Sequence, residues 1–220
     1  MDSVKNIDQH QHAKISICVS GSADLAPFDP GVAEIAKELG REIARNGIIL
    51  LTGATTGFPF YVAMGAKEAG GVSIGFSPAS SEKEHAEVYK LPMDYFDTIV
   101  YTGFGYSGRN LLLTRAADAV IVGCGRIGTM NEFTIAFEDH KPIGVLRGSW
   151  SMDEIIETMV NESFRKEEGT VAWNDTPKGI VTDVLKLIKE RKVCELGGKC
   201  PVFTYENNDG VGGKIGERVL

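Results

Sequence analysis

Two charged side chains stand beside glycine-rich turns in this chain, and their placement suits work on a phosphorylated ligand. Glu132 follows Thr129 by three residues at the start of a helical period. Thr-x-x-Glu reads two ways. It is a capping box, in which both side chains satisfy backbone N–H groups, or it sets a carboxylate beside an anion site, held ionised by the helix terminus. Arg109 follows Gly105-Tyr106-Ser107-Gly108 and is expected to open a helix. A cation there opposes the helix dipole, so a partner is expected: a ligand phosphate, or Glu132 itself. The plain alternative is a surface arginine. Together Glu132 and Arg109 are the candidate catalytic pair.

Three turns share one design. Ser20-Gly21-Ser22 leaves a first strand, Thr52-Gly53-Ala54-Thr55-Thr56-Gly57 leaves a second, and Gly123-Cys124-Gly125-Arg126-Ile127-Gly128-Thr129 leaves a very apolar later one. Glycine lets backbone turn sharply and approach a ligand. The helix that follows offers unpaired N–H groups to an anion, and serine and threonine add hydroxyl donors. The expected phosphate and nucleotide contacts are Ser20, Gly21, Ser22, Thr52, Gly53, Ala54, Gly125, Arg126, Ile127, Gly128 and Thr129. Arg126 either meets phosphate or points to solvent. Cys124 is either a thiol activated by a helix terminus or a small apolar plug. No G-x-x-x-x-G-K-[ST] occurs, and no G-x-G-x-x-G follows the first strand. These absences favour a mononucleotide over a dinucleotide cofactor; no cofactor and no metal are expected.

The elements that must position these turns alternate regularly. Lys14–Ser20, Ile48–Thr52, Val72–Phe76, Thr98–Tyr101, Ala119–Gly123, Ile143–Leu146 and Thr170–Trp173 read as strands. Helical periods fall between most of them: one carries Val32, Ile35, Ala36, Leu39 and Ile43, and others span Arg109–Ala117, Thr129–His140, Asp153–Phe164 and Thr182–Lys192. Ser80–Pro92 is a polar, acidic connection with a short helix, and His85 and His140 read as surface residues. The alternation predicts an α/β fold: a Rossmann-like, doubly wound parallel sheet with helices on both faces, a three-layer sandwich. Such sheets bind ligands at the carboxyl ends of their strands, where the order reverses. One domain is expected over 14–193, after a disordered leader at 1–13 and before a glycine-rich tail at 194–220.

Composition narrows the partners. With 220 residues the chain can bury one large core. A net charge of −7 argues against a nucleic-acid groove. No apolar run approaches the roughly 20 residues of a membrane helix, and the polar start lacks a signal peptide's apolar core. A cytoplasmic protein without membrane partners is expected, with Cys18, Cys124, Cys194 and Cys200 as free thiols.

Cys124-Gly125-Arg126-Ile127-Gly128-Thr129-Met130-Asn131-Glu132 resembles the P-G-G-x-G-T-x-x-E signature of the "lonely guy" (LOG) proteins and their relatives, the molybdenum-cofactor carriers. Arg109-Asn110 matches that family's Arg-Lys pair, and Ile17–Ser22 and Thr52-Gly53-Ala54 match its first two turns. The resemblance covers roughly Lys14 to Leu146. It implies hydrolysis of the N-glycosidic bond of a nucleoside 5′-monophosphate, giving free base and ribose 5-phosphate, with Glu132 stabilising an oxocarbenium-like ribose and Arg109 positioning phosphate or carboxylate. The alternative it implies is a carrier or sensor of a nucleotide or molybdopterin-type cofactor without turnover. It also implies a homodimer or larger assembly, with Arg115 near the subunit contact. Cys124 for proline, Arg126 for glycine and Asn110 for lysine depart from the pattern, and they weigh against the hydrolase more than against nucleotide binding.

Overall fold

The computed structural model describes residues 14–163 and 170–195. The expected leader, and the tail from 196 onward, lie outside the described residues. Among the described residues seven strands and six α-helices follow one another as β1 (Ser16–Ser20), α1 (Val32–Arg45), β2 (Ile49–Thr52), α2 (Phe58–Glu68), β3 (Ser73–Ser77), β4 (Thr98–Tyr101), α3 (Gly105–Ala116), β5 (Ala119–Val122), α4 (Ile127–Glu138), β6 (Ile143–Leu146), α5 (Met152–Glu162), β7 (Val171–Asn174) and α6 (Pro177–Glu195).

The strands form one sheet in the order β4-β3-β2-β1-β5-β6-β7, and every neighbouring pair is parallel. This is the expected Rossmann-like α/β architecture. Successive crossovers step from β1 to β2 to β3 in one direction and from β4 to β5, β6 and β7 in the other. Right-handed connections therefore put α1 and α2 on one face and α3, α4 and α5 on the other; α6 returns to pack on α1. β5 and β6 are buried at every position, as strands covered on both faces must be.

Helix α1 buries Val32, Ala36, Leu39, Gly40 and Ile43, a stripe at three- and four-residue spacing. Asn46 ends it, and Gly47 follows at φ +69°, a conformation that costs glycine little. α1 and α2 lie in backbone contact through Gly40 and Gly65, and Arg41 ties them from outside by pairing with Glu34 and Glu38 of α1 and Glu68 of α2. Among the described residues no helix is long and apolar enough to cross a membrane.

Two local expectations change. α3 starts at Gly105, a full turn before Arg109. His85 is wholly buried rather than superficial: it sits in a π-helical turn, Glu84–Val88, where Nδ1 meets Ser77 Oγ at 2.8 Å and Nε2 meets the Pro92 carbonyl at 3.0 Å.

Candidate functional site

A cleft of about 270 Å³ opens at the carboxyl ends of β1 and β5, the neighbours between which the strand order reverses. A doubly wound sheet places its ligand there because the loops leaving those two strands diverge to opposite faces. Four segments line it: Val19–Asp24 at the end of β1 and just beyond it, Gly53 and Thr55 after β2 with Pro59 of α2, Tyr106, Arg109 and Asn110 on α3, and Arg126, Gly128, Thr129 and Glu132 at the start of α4. Backbone bonds stitch the turns together. Ser22 N–H donates to the Cys124 carbonyl at 2.6 Å, and Phe58 N–H donates to the Ser22 carbonyl at 2.8 Å.

Of the residues expected from sequence, Ser20, Gly21, Ser22, Gly53, Arg126, Gly128, Thr129, Arg109 and Glu132 line this cleft, and Thr52, Ala54, Gly125 and Ile127 do not. Thr52 is buried, and its Oγ1 accepts the Ala54 N–H at 3.3 Å. Ala54 is buried at φ +47°, left-handed backbone that a non-glycine residue adopts at a cost. Ile127 points outward and is 86% exposed.

Several of the glycines serve packing rather than ligand approach. A Cβ on Gly21 or on Gly123 would lie 2.6 Å from the Phe58 ring, so the first and third turns close over that aromatic. A Cβ on Gly53 would overlap the Arg109 guanidinium, and one on Gly125 would lie 2.5 Å from Thr129 Cγ2. Only Gly128 among the cleft's glycines faces open space. Its backbone lies in the first turn of α4, where helix N–H groups lack intrahelical partners.

The capping-box reading of Thr129 and Glu132 does not hold. α4 begins at Ile127 after Arg126, with no side-chain cap, so Thr129 already lies inside the helix and Glu132 in its second turn. Thr129 Oγ1 is buried without a hydrogen-bond partner in the protein. Glu132 is buried and accepts a hydrogen bond from Ser20 Oγ across the cleft floor. Burial pushes its carboxyl above the ordinary range; the Arg109 charge and the Ser20 hydrogen bond pull the other way without reversing the shift. Desolvation is thus the larger influence, outweighing the nearby positive charge, and Glu132 lies a turn inside α4 rather than at its terminus.

Arg109 is 6% exposed, and Nε and Nη1 have no hydrogen-bond partner in the protein. It lies in the second turn of α3, so the dipole argument for it falls away, and what marks it instead is a buried cation with unused donors. Asn110, beside it, donates from Nδ2 to Asn131 Oδ1 at 2.8 Å and leaves Oδ1 unpartnered. Arg126 stands at the rim, its side chain 61% exposed and 4.0 Å from Asp24. Cys124 is buried, and burial raises its thiol to about 12, which makes it the apolar plug. Arg115 pairs with Asp139 at 2.9 Å.

The cleft thus collects unused polar groups on two helices: Arg109 Nε and Nη1, Thr129 Oγ1 and Asn110 Oδ1. A buried polar group without a partner costs about 1–3 kcal/mol, so four around one cleft would be stabilised by a ligand or water that reached them. Tyr106 was not singled out from sequence, and Asn110 only through the resemblance, as the neighbour of Arg109. Their signal was the i, i+3, i+4 spacing of Tyr106, Arg109 and Asn110, legible only once α3 is known to begin at Gly105.

The molybdenum cofactor carrier protein of Chlamydomonas reinhardtii superposes with a TM-score of 0.64 at 29% identity, over 80% of this chain and 99% of that one. The molybdenum cofactor binding protein of Rippkaea orientalis superposes with a TM-score of 0.63 at 27% identity, over 82% and 98%. An uncharacterized protein of Archaeoglobus fulgidus is 29% identical over 134 residues, which cover 61% of this chain and 80% of that relative. The model of the SLOG cluster4 family matches residues 14–181, and the chain belongs to that family.

Proposed function

We propose that this protein binds a phosphorylated small molecule, a nucleotide or a molybdopterin-type cofactor, and holds it as a carrier or sensor. The observation that carries the reading is the buried Arg109 guanidinium with two unused donors, in the wall of the same cleft as Thr129, whose hydroxyl is unpartnered in the first turn of α4. Donors in a dry recess at a helix N-terminus suit a phosphate oxyanion. The similarity to two proteins described as binding or carrying molybdenum cofactor supports a carrier.

Hydrolysis of a nucleoside monophosphate is the second reading, favoured by Glu132 and Arg109 lying in one cleft. That chemistry needs a negative charge against a developing oxocarbenium ion. Burial drives Glu132 toward its neutral form, which supports binding over turnover.

Thermal melts with AMP, GMP and isolated molybdenum cofactor, paired with assays for free base, test both. A bound phosphate ester at about 100 times its Kd should stabilise the fold by roughly 2.7 kcal/mol. Bare nucleosides should do much less, and no base should appear. Equal stabilisation by adenosine and AMP would sink the phosphate anchor, and released base would install the hydrolase reading. The proposal includes a homodimer or larger assembly, consistent with the exposed Leu111 and Leu112 on α3. Light scattering should then give at least twice the 23.8 kDa of the chain, and a purely monomeric species would remove that part.

A further inference from the structure

We propose that Tyr106 selects the ligand's planar heteroaromatic ring, as a stacking platform at the mouth of the cleft; this rests on the phosphorylated-ligand reading above. Tyr106, Arg109, Asn110 and Leu113 form one stripe of α3. Along it the surroundings change in order. Leu113 is wholly inside the core, Arg109 and Asn110 are buried in the cleft wall, and Tyr106 is 50% exposed and still lines the cleft. The remaining lining side chains are small, polar or charged, apart from Val19 and Pro59, so Tyr106 supplies the cleft's aromatic surface.

The ring is held in place before any ligand arrives. It packs edge-to-face with Tyr89, centroids 5.6 Å apart at 81°, and the Arg109 guanidinium carbon lies 6.0 Å from its centroid. Tyr89 belongs to the connection between β3 and β4, which the buried His85 pins to Ser77 and Pro92. Gly105 N–H donates to the Pro78 carbonyl at 3.1 Å and ties the start of α3 to the same connection. A half-exposed aromatic side chain with two fixed neighbours loses little rotamer freedom when a flat ring covers it. One turn further in, the unpartnered Asn110 Oδ1 is an acceptor for the ring N–H or amino groups of a purine or a pterin. An aromatic mouth above an anion-binding recess describes a ligand with a heteroaromatic ring at one end and a phosphate at the other.

The test compares AMP with ribose 5-phosphate, which carries the phosphate and lacks the ring, by calorimetry on wild type, Tyr106→Ala and Tyr106→Phe. Wild type should bind AMP more tightly than ribose 5-phosphate. Tyr106→Ala should weaken AMP by about ten- to a hundredfold, the range for one base stacked on one aromatic residue, and change ribose 5-phosphate less than about twofold. Tyr106→Phe, which keeps the ring face, should restore AMP. Three results overturn the inference and leave the phosphate reading standing: AMP binding no tighter than ribose 5-phosphate in wild type, Tyr106→Ala leaving AMP unchanged, or Tyr106→Ala weakening both ligands equally. Wild type binding neither compound, and showing no stabilisation by GMP or isolated molybdenum cofactor, overturns the phosphate reading and this inference with it.

Discussion

Gly65→Ala is expected to cost about 3 kcal/mol of stability and to lower Tm by roughly 6–12 °C. Alanine is the better helix former by about 1 kcal/mol, so propensity alone predicts the opposite sign. Packing decides. A Cβ on Gly65 would lie 2.6 Å from the carbonyl carbon of Lys37 and closer still to its oxygen. Both are backbone atoms of α1, so no side chain can rotate away. Gly40 makes the reciprocal contact with the Val62 backbone of α2, so the two helices have no slack on either side. Phe58, the first residue of α2, fills the space beside Gly21 and Gly123, so a displaced α2 would also disturb the first and third turns of the cleft. Gly128→Ala is the control: its Cβ meets nothing within 4 Å, and stability should hold. A Gly65→Ala melt within about 2 °C of wild type would contradict the close contact.

The sheet and most helices were legible because their signals are local. β5 is an unbroken run, Ala-Val-Ile-Val, and α1 repeats its apolar residues at helical spacing. The start of α3 was hidden because Gly105 and Gly108 are poor helix formers in any propensity argument. Tertiary contacts override that, and with it the sequence-based picture of Arg109 as a helix-opening residue changes. The glycine turns were legible as turns, yet the reason for several of them was not. The Phe58 ring, 37 residues from Gly21 and 65 from Gly123, sets the demand for glycine at both. Thr129-x-x-Glu132 matched a local motif, and only the observed helix start two residues earlier shows that Glu132 faces Ser20 instead. His85 sits among Glu82, Lys83, Glu84 and Glu87, so its neighbours read as surface while its ring is buried against Ser77.

Arg109→Met should separate function from stability at this cleft. A phosphate ester should lose roughly 30- to 4,000-fold in affinity, the equivalent of about 2–5 kcal/mol for removing one partner of a desolvated charge-assisted contact. The ligand-free protein should respond differently. Methionine fills similar space without bringing unused donors, and removing one member of a buried pair is costly only to the extent that the other stays charged. The balance depends on Glu132, whose carboxyl burial raises above 4.5 while Arg109 draws it back. An acid with a raised folded pKa contributes stability that is complete below its unfolded value and is lost as pH climbs through the folded one. Removing Arg109 lifts the folded value further, so the loss starts from the same 4.5 but continues to higher pH and goes deeper. Arg109→Met should therefore be most favourable relative to wild type at the acid end of the range, where more of Glu132 is protonated and the wild-type guanidinium has less counter-charge. Its advantage should shrink as pH rises. Chemical denaturation of both proteins from pH 5 to 9 measures the difference. Stability curves that stay parallel across that range would mean that Arg109 and Glu132 are not coupled, and undiminished ligand affinity would remove Arg109 from the binding site.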